Sequence, residues 1–103
     1  MALFESIYKH ILKYELENAG LIVKQEVSLL VIYDNIKFNI GCRMDLVVND
    51  KVIIELKSVE NRTEVYHKQT ITYLKLSGLK LALLVNFNCN NIIKDIYRKV
   101  NNL

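Results

Sequence analysis

The stretch MDLVVNDKVIIELK, residues 44–57, contains two apolar, β-branched runs that are joined by the polar triplet Asn49-Asp50-Lys51. Apolar runs of this length, bounded by Asn and Asp, predict two β-strands connected by a tight hairpin. If the triplet forms the loop, Val48 pairs with Val52 and the pairing continues outward from there. This hairpin is the centre of the predicted sheet, and the other elements are placed relative to it.

The register of this hairpin separates polar from apolar side chains. Because side chains alternate between the two faces of a strand, the three-residue loop puts Asp45 directly opposite Glu55. Arg43 and Lys57 then share their face, and Leu46, Val48, Ile54 and Leu56 share the other. A two-residue loop would place Asp45 opposite Ile54, on the wrong face, so the three-residue loop is favoured.

Periodicity along the rest of the chain predicts the order α-β-β-β-α-β-α in one domain, residues 1–103. Apolar residues spaced three and four apart, including Ile7 and Ile11, predict helices at 3–18, 63–77 and 91–101. Runs rich in β-branched residues predict strands at 22–33, 36–48, 52–59 and 80–87, with turns at 34–35 and 60–63, a bulge at Gly41 and a loop at 88–91. We therefore expect an α/β fold with a mixed sheet, in which a helical crossover makes the fourth strand parallel to a neighbour.

Composition narrows the class of protein further. The chain has 103 residues, of which 51% are hydrophobic and 24% charged, with no Pro, so disorder is excluded and one core is feasible. Its net charge of +3 permits a polyanionic partner without requiring one. Cys42 and Cys89 are far apart and lack metal-ligand spacing, so reduced thiols are expected rather than a zinc site. The chain shows neither a signal peptide nor a membrane-spanning apolar run, which predicts a cytoplasmic protein without a membrane partner.

Two adjacent carboxylates beside a lysine suggest a catalytic site. Hard oxygen ligands such as Asp45 and Glu55 suit Mg²⁺ or Mn²⁺ and leave positions for water and a phosphate oxygen. Lys57 could position that water or stabilise charge that develops on the phosphate. The alternative is structural, a cross-strand salt bridge of Lys57 and Arg43 with the two carboxylates. The residues alone leave both interpretations open.

Two further polar residues lie on predicted helices. Gln69 falls in the middle of an otherwise inward-facing stripe, so its amide needs a polar partner, which the face that carries Lys57 could provide. Alternatively, Gln69 reaches solvent at the helix edge. Glu5 lies at the rim of the first helix's buried stripe and could reach a shared metal, or it could simply favour the helix dipole. The stripe around Gln69 consists of Val65, Thr72, Tyr73 and Leu76.

Asp45, then Glu55-Leu56-Lys57 on a following strand, then Gln69 on the next helix resembles the core motif of the PD-(D/E)XK nuclease superfamily. Within that superfamily, the chain resembles the small prokaryotic GxxExxY family across nearly its whole length. Its matching segments are Glu5-Ser6-Ile7-Tyr8, Gly41-Cys42-Arg43-Met44-Asp45-Leu46, Ile54-Glu55-Leu56-Lys57, Gln69 with Thr72-Tyr73-Leu74-Lys75, Gly78-Leu79 and Val85-Asn86-Phe87-Asn88. Two features depart from the family: Ala2 stands where the family has its leading Gly, and the family's preceding helical segment is missing.

The resemblance implies a restriction-endonuclease-like αβββαβ core with a C-terminal helix. It implies a Mg²⁺- or Mn²⁺-dependent, endonuclease-like hydrolase of phosphodiester bonds, with DNA as the expected substrate and RNA as the second candidate. The alternative is a non-catalytic nucleic-acid-binding or assembly domain that retains the fold. A homodimer would fit so small an enzyme. The implied roles are catalysis by Asp45, Glu55, Lys57 and Gln69, metal ligation by Asp45, Glu55 and Glu5, and nucleic-acid contact by Arg43 and Tyr73.

Overall fold

The computed structural model describes residues 3–59, 64–87 and 93–101. The predicted turn at 60–63, the predicted loop at 88–91, Ala2 and Cys89 lie outside the described residues. The elements are α1 (Leu3–Asn18), β1 (Val23–Tyr33), β2 (Ile36–Val48), β3 (Val52–Lys57), α2 (Glu64–Ser77), β4 (Leu81–Phe87) and β5 (Ile93–Val100). No helix in these ranges is long and apolar enough to cross a membrane.

The five strands form one mixed sheet in the order β1-β2-β3-β4-β5. Neighbouring strands are antiparallel except β3 and β4, which are parallel and are connected through α2. A parallel pair requires such a crossover, because a tight hairpin can join only antiparallel strands. The predicted α/β class and mixed sheet are therefore confirmed, and the fold is restriction-endonuclease-like.

The predicted C-terminal helix is wrong where the structure describes it. Residues Ile93–Val100 form β5, which pairs antiparallel with β4. β4 has β3 on one side only, so its other edge offers backbone hydrogen bonds that outweigh the helical spacing of the apolar residues. Those residues do not form a buried stripe: Ile93, Ile96 and Val100 are 46%, 55% and 49% exposed.

The apolar side chains form one cluster on each side of the sheet. The α1-side cluster contains Val23, Leu46, Val48, Ile54, Leu56, Val85 and Phe87, with Tyr8, Leu12 and Leu16 of α1 packed against it. The α2-side cluster contains Leu29, Met44, Val47, Ile53, Tyr73, Leu74 and Ala82. Both clusters include residues of the central strands, so β2 and β3 are buried from both sides and any polar side chain between them is desolvated.

The buried face of α1 is rotated from the predicted one. Ile7 and Ile11 are 40% and 51% exposed, whereas Lys9 is only 5% exposed. The Lys9 ammonium forms an ion pair with Glu26 of β1, which satisfies its charge inside the α1–sheet interface. A buried lysine cannot be predicted from hydropathy, because Lys is almost never buried without a partner.

The alternation of side chains between the two faces of the sheet is interrupted at neighbouring positions of β1 and β2. Val23 packs on the α1 side but Val27 packs on the α2 side, although the two residues are four apart. Between them Glu26, which lies opposite Asp45 in the β1–β2 register, has a φ of 51°. This left-handed conformation is uncommon for a residue other than Gly and breaks the regular pleat. Consequently Met44 packs on the α2 side rather than with Leu46.

Candidate active site

Asp45 and Glu55 lie where β2 and β3 separate. The predicted register is confirmed, because Val48 pairs with Val52 and backbone pairing continues to Leu46 and Ile54. At the next pair, Asp45 and Glu55, side-chain oxygens rather than backbone carbonyls accept the hydrogen bonds between the two strands. Leu56 N donates to Asp45 Oδ2 over 2.8 Å, and Asp45 N donates to Glu55 Oε1 over 3.2 Å.

The two carboxyl groups are buried together. Asp45 is 6% exposed and Glu55 is 2% exposed. Burial, together with the charge of Asp45, raises the pKa of Glu55 to about 9. Burial also raises the pKa of Asp45, although the amide hydrogen bond from Leu56 and the charge of Lys57 oppose that rise. At neutral pH the pair therefore favours holding one proton, which a divalent cation would replace.

Lys57 lies at the end of β3 without forming a salt bridge to either carboxylate. Its Nζ lies 4.8 Å from the centre of the Tyr66 ring, a cation–π contact with α2. The ion pairs between described residues include Lys9–Glu26, Lys13–Glu17 and Lys24–Asp50, and none of them involves Asp45 or Glu55. The structural alternative, a cross-strand salt bridge at Asp45 and Glu55, is therefore wrong.

Gln69 lies on the sheet-facing side of α2, as predicted, although the rest of the predicted stripe does not. Val65 and Leu76 are exposed, and the buried residues of α2 are Thr70, Tyr73 and Leu74. Gln69 Nε2 donates to Tyr73 Oη over 2.9 Å. Gln69 Oε1 is buried and has no hydrogen-bond partner, which leaves an acceptor available for a donor such as an ammonium group or water.

The sequence predicts that Tyr73 contacts nucleic acid, but its side chain is only 6% exposed and is not available for that contact. Burial, together with the charge of Glu55, raises the pKa of Tyr73 to about 12. Its hydroxyl therefore stays protonated and serves Gln69 as a hydrogen-bond partner inside the α2-side cluster. Tyr73 is thus a positioning residue for Gln69.

The structure does not bring Arg43 and Glu5 to the carboxylate pair. Cys42 and Met44 pack on the α2 side, so Arg43, which lies between them, is on the opposite face; the prediction that it shares the face of Lys57 is wrong. Glu5 Oε1 accepts a hydrogen bond from Ser58 N over 3.1 Å. The described part of the chain contains no cluster of three His, Cys, Asp or Glu residues that could hold a metal, so Glu5 does not complete a set of direct ligands. Ligation by Glu5 through a water stays a prediction.

A family model described as the PD-(D/E)XK nuclease superfamily matches residues 1–100. The chain belongs to this superfamily. Its fold is similar to the crystal structure of SSO0001, with a TM-score of 0.67 and 23% identity over 96% of this chain and 51% of that one. It is also similar to an alkaline exonuclease (LHK-Exo) from Laribacter hongkongensis, with a TM-score of 0.60 and 18% identity over 94% of this chain and 56% of the exonuclease. The chain thus spans about half the length of each. No curated protein matches it.

Two polar groups that support the PD-(D/E)XK motif were missed by the sequence analysis. The carboxylate of Glu26 lies close enough for its charge to raise the pKa of Asp45, and Lys9 holds it. Asn86, assigned above to the GxxExxY-like segment without a structural role, is 3% exposed and lies opposite Lys57 in the β3–β4 register. Its amide donates to Val59 O over 2.9 Å and accepts from Val59 N over 3.1 Å, which secures the chain after the lysine. An apolar strand interrupted by Asn was the available signal for Asn86, since buried amides need partners.

A row of aromatic and cationic side chains extends from the PD-(D/E)XK lysine towards β5. Beside Tyr66, the His67 ring meets Tyr97 edge-on at a centroid distance of 4.4 Å. Lys99 Nζ lies 5.9 Å from the Tyr97 ring centre. Desolvation, together with the charge of Lys99, lowers the pKa of His67. We call Tyr66, His67, Tyr97 and Lys99 the aromatic–cation row. Desolvation, together with the nearby Asp95 carboxylate, raises the pKa of the Tyr97 hydroxyl.

Proposed function

We propose that this PD-(D/E)XK chain is a divalent-metal-dependent nuclease that hydrolyses phosphodiester bonds of DNA, with RNA as the second candidate substrate. The observation that carries the proposal is the buried Asp45–Glu55 pair beside Lys57. Two desolvated carboxylates whose charges oppose each other are costly for a fold, and active sites are where such arrangements recur. Within the superfamily, the GxxExxY-like motifs favour assignment to that family.

The donor set at this pair fits Mg²⁺ or Mn²⁺. Both cations prefer oxygen ligands, and Asp45 and Glu55 supply carboxylate oxygens next to the Leu56 backbone. The pKa of about 9 at Glu55 reflects carboxylate repulsion that a cation would relieve. When bound, the metal supplies Lewis-acid polarisation and a water of lowered pKa.

The remaining residues act on the water and the phosphate. Lys57 carries a positive charge at the edge of the pair, where it stabilises negative charge that develops on a phosphate oxygen. Gln69 presents its unpartnered Oε1 as an acceptor for the Lys57 ammonium or for the attacking water, and Tyr73 fixes the orientation of the amide. Asn86 holds the strand end that positions Lys57.

The aromatic–cation row is the surface that we propose for the nucleic-acid strand. Bases stack on aromatic rings without sequence preference, and neighbouring cations bind the phosphates, which is how many proteins bind single strands. The row begins at Lys57, so a strand that lies along it would reach the carboxylate pair. In this proposal the aromatic–cation row contacts the nucleic acid, in place of Arg43 and Tyr73, which the sequence predicts for that role.

The test is cleavage of labelled single-stranded, duplex and branched DNA, and of RNA, with Mg²⁺ or Mn²⁺ and with a chelator. We expect metal-dependent cleavage that Lys57→Ala reduces by about 100-fold or more, since lost transition-state stabilisation costs a few kcal/mol. Lys51→Ala, which changes an exposed lysine in the β2–β3 turn, is the matched control and should retain activity. Equal activity of wild type and Lys57→Ala would remove Lys57 from the mechanism.

The non-catalytic alternative predicts a different outcome in the same experiment. A binding domain would retain salt-sensitive association with nucleic acid but would cleave none of the substrates with either metal. Isothermal titration with Mn²⁺ separates the two cases further, because metal binding that depends on Asp45 is required only by the nuclease.

A further inference from the structure

The β1–β2 hairpin carries apolar side chains into solvent beyond the reach of α2. In its outer part Val31 pairs with Phe38 and Tyr33 pairs with Ile36, and the two-residue turn Asp34-Asn35 closes it. Directly paired residues share a face, so these four side chains form one continuous surface, which we call the hairpin face. Tyr33 is 73% exposed, Ile36 54% and Phe38 46%.

The hairpin face lies on the α2 side of the sheet. Val27 and Leu29 both pack in the α2-side cluster, and alternation continues from them to Val31 and Tyr33. The apolar core is therefore continuous with an uncovered apolar surface. The exposed area of the hairpin face is on the order of 400 Å². Apolar patches of this size mark interaction sites rather than ordinary surface.

A groove lies at the base of the same face. It has a volume of about 550 Å³ and lies between the hairpin and the C-terminal half of α2. Its lining is apolar at Leu29, Met44, Leu76 and Leu79. Its charged lining residues are Lys24 and Asp50, which form an ion pair with each other, and Lys75. The volume is that of pockets that accept small ligands or inserted side chains.

We propose that the hairpin face and the groove form a two-fold interface between two copies of this chain. A two-fold axis through the middle of the face, near Val31, places the tip of each hairpin over the groove of the other copy. The distance suits this arrangement, because the groove residue Leu29 and the tip residue Tyr33 are four positions apart, or about 14 Å along a strand. Each copy thus supplies both the inserted residues and the site that receives them, as an isologous contact requires.

Charge and area support a second copy as the occupant. Asp34 at the hairpin tip would meet Lys75 at the partner's groove, and the symmetry makes this contact twice. Two hairpin faces and two grooves would together bury on the order of 1,000 Å², which reaches the lower limit for a biological interface. The residues that line the groove include neither Asp45 nor Glu55. The proposal does not depend on nuclease activity.

Sedimentation velocity and light scattering between 1 and roughly 200 μM test the proposal, since interfaces of this size bind in the micromolar range or tighter. We expect wild type to be dimeric at the upper concentrations and Ile36→Glu to be monomeric. Ile11→Glu is the matched control, because Ile11 is 51% exposed on α1, on the other side of the sheet, and does not line the groove. It should stay dimeric. Circular dichroism verifies that both variants fold.

A charge reversal tests the orientation of the two copies. Asp34→Lys should weaken the dimer at least fivefold, and adding Lys75→Asp should restore it. A monomeric wild type over the whole range overturns the proposal. So does a dimer that Ile11→Glu disrupts and Ile36→Glu leaves intact, since that result would locate the contact on the α1 side of the sheet. A dimer that both charge reversals leave unchanged overturns the tip-in-groove arrangement.

Discussion

Replacing Glu55 with Gln should stabilise the metal-free protein at alkaline pH. Glu55 has a pKa of about 9 in the folded chain and an ordinary value of 4.5, so between these limits the folded state keeps a proton that the unfolded state has lost. Protonated Glu55 contributes fully to the stability of the folded state below pH 4.5. As the pH rises from there towards 9, the free energy of unfolding falls by about 1.4 kcal/mol per pH unit. Gln cannot ionise, and its amide can still accept from Asp45 N. We expect the free energy of unfolding of Glu55→Gln at pH 8 to exceed that of wild type by about 2–4 kcal/mol.

Urea unfolding at pH 5, 6.5 and 8 in the presence of a chelator measures this difference. Wild type should lose stability across the series, and the loss should be smaller in Glu55→Gln. Glu15→Gln, which alters an exposed carboxylate on α1, should behave like wild type. Adding Mn²⁺ at pH 8 should then stabilise wild type and leave Glu55→Gln unchanged, since binding to the folded state alone raises stability. A Glu55→Gln variant that is less stable than wild type at pH 8 without metal would refute the reasoning.

Three further substitutions test neighbouring parts of the site. Asn86→Ala removes two buried hydrogen bonds and should lower the free energy of unfolding by about 1–3 kcal/mol in urea titrations; a change below about 0.5 kcal/mol would contradict its positioning role. Tyr97→Ala should weaken single-strand oligonucleotide binding about tenfold by fluorescence anisotropy without metal, whereas the exposed Tyr14→Ala should not; equal effects would count against the aromatic–cation row. Lys9→Met leaves Glu26 without its partner and should cost about 2 kcal/mol, of which adding Glu26→Gln should recover a part; no recovery would show that the pair does not act as a unit.

The centre of the sheet could be predicted from the sequence because two constraints agree there. The triplet Asn49-Asp50-Lys51 limits the length of the loop, and the separation of charged from apolar residues selects one register. A shift by one residue would have turned Glu55 to the other face, so the pattern had a single consistent solution. The position of Asp45 next to Glu55 followed from this register and from local rules alone.

The parts that could not be predicted depend on partners distant in the sequence. The spacing of Ile93, Ile96 and Val100 fits a helix, and only the open edge of β4 makes the segment a strand. The face of Arg43 changed because the pleat reverses beside Glu26, whose positive φ has no sequence signature. Burial of Lys9 likewise depends on the Glu26 carboxylate, which is 17 residues away.

The hydrogen bonds made by Asp45 and Glu55 affect how the superfamily motif should be interpreted in related sequences. Each carboxylate accepts from a backbone N–H where the strands separate, but Gln at position 55 would accept the same bond without the charge that destabilises the metal-free fold, so only metal binding favours Glu there. Lys57, whose ammonium rests on the Tyr66 ring, is under weaker structural constraint. In descendants that have lost catalysis, changes at positions 55 and 57 are therefore expected, and Glu55 and Lys57 together are the more informative markers of retained cleavage.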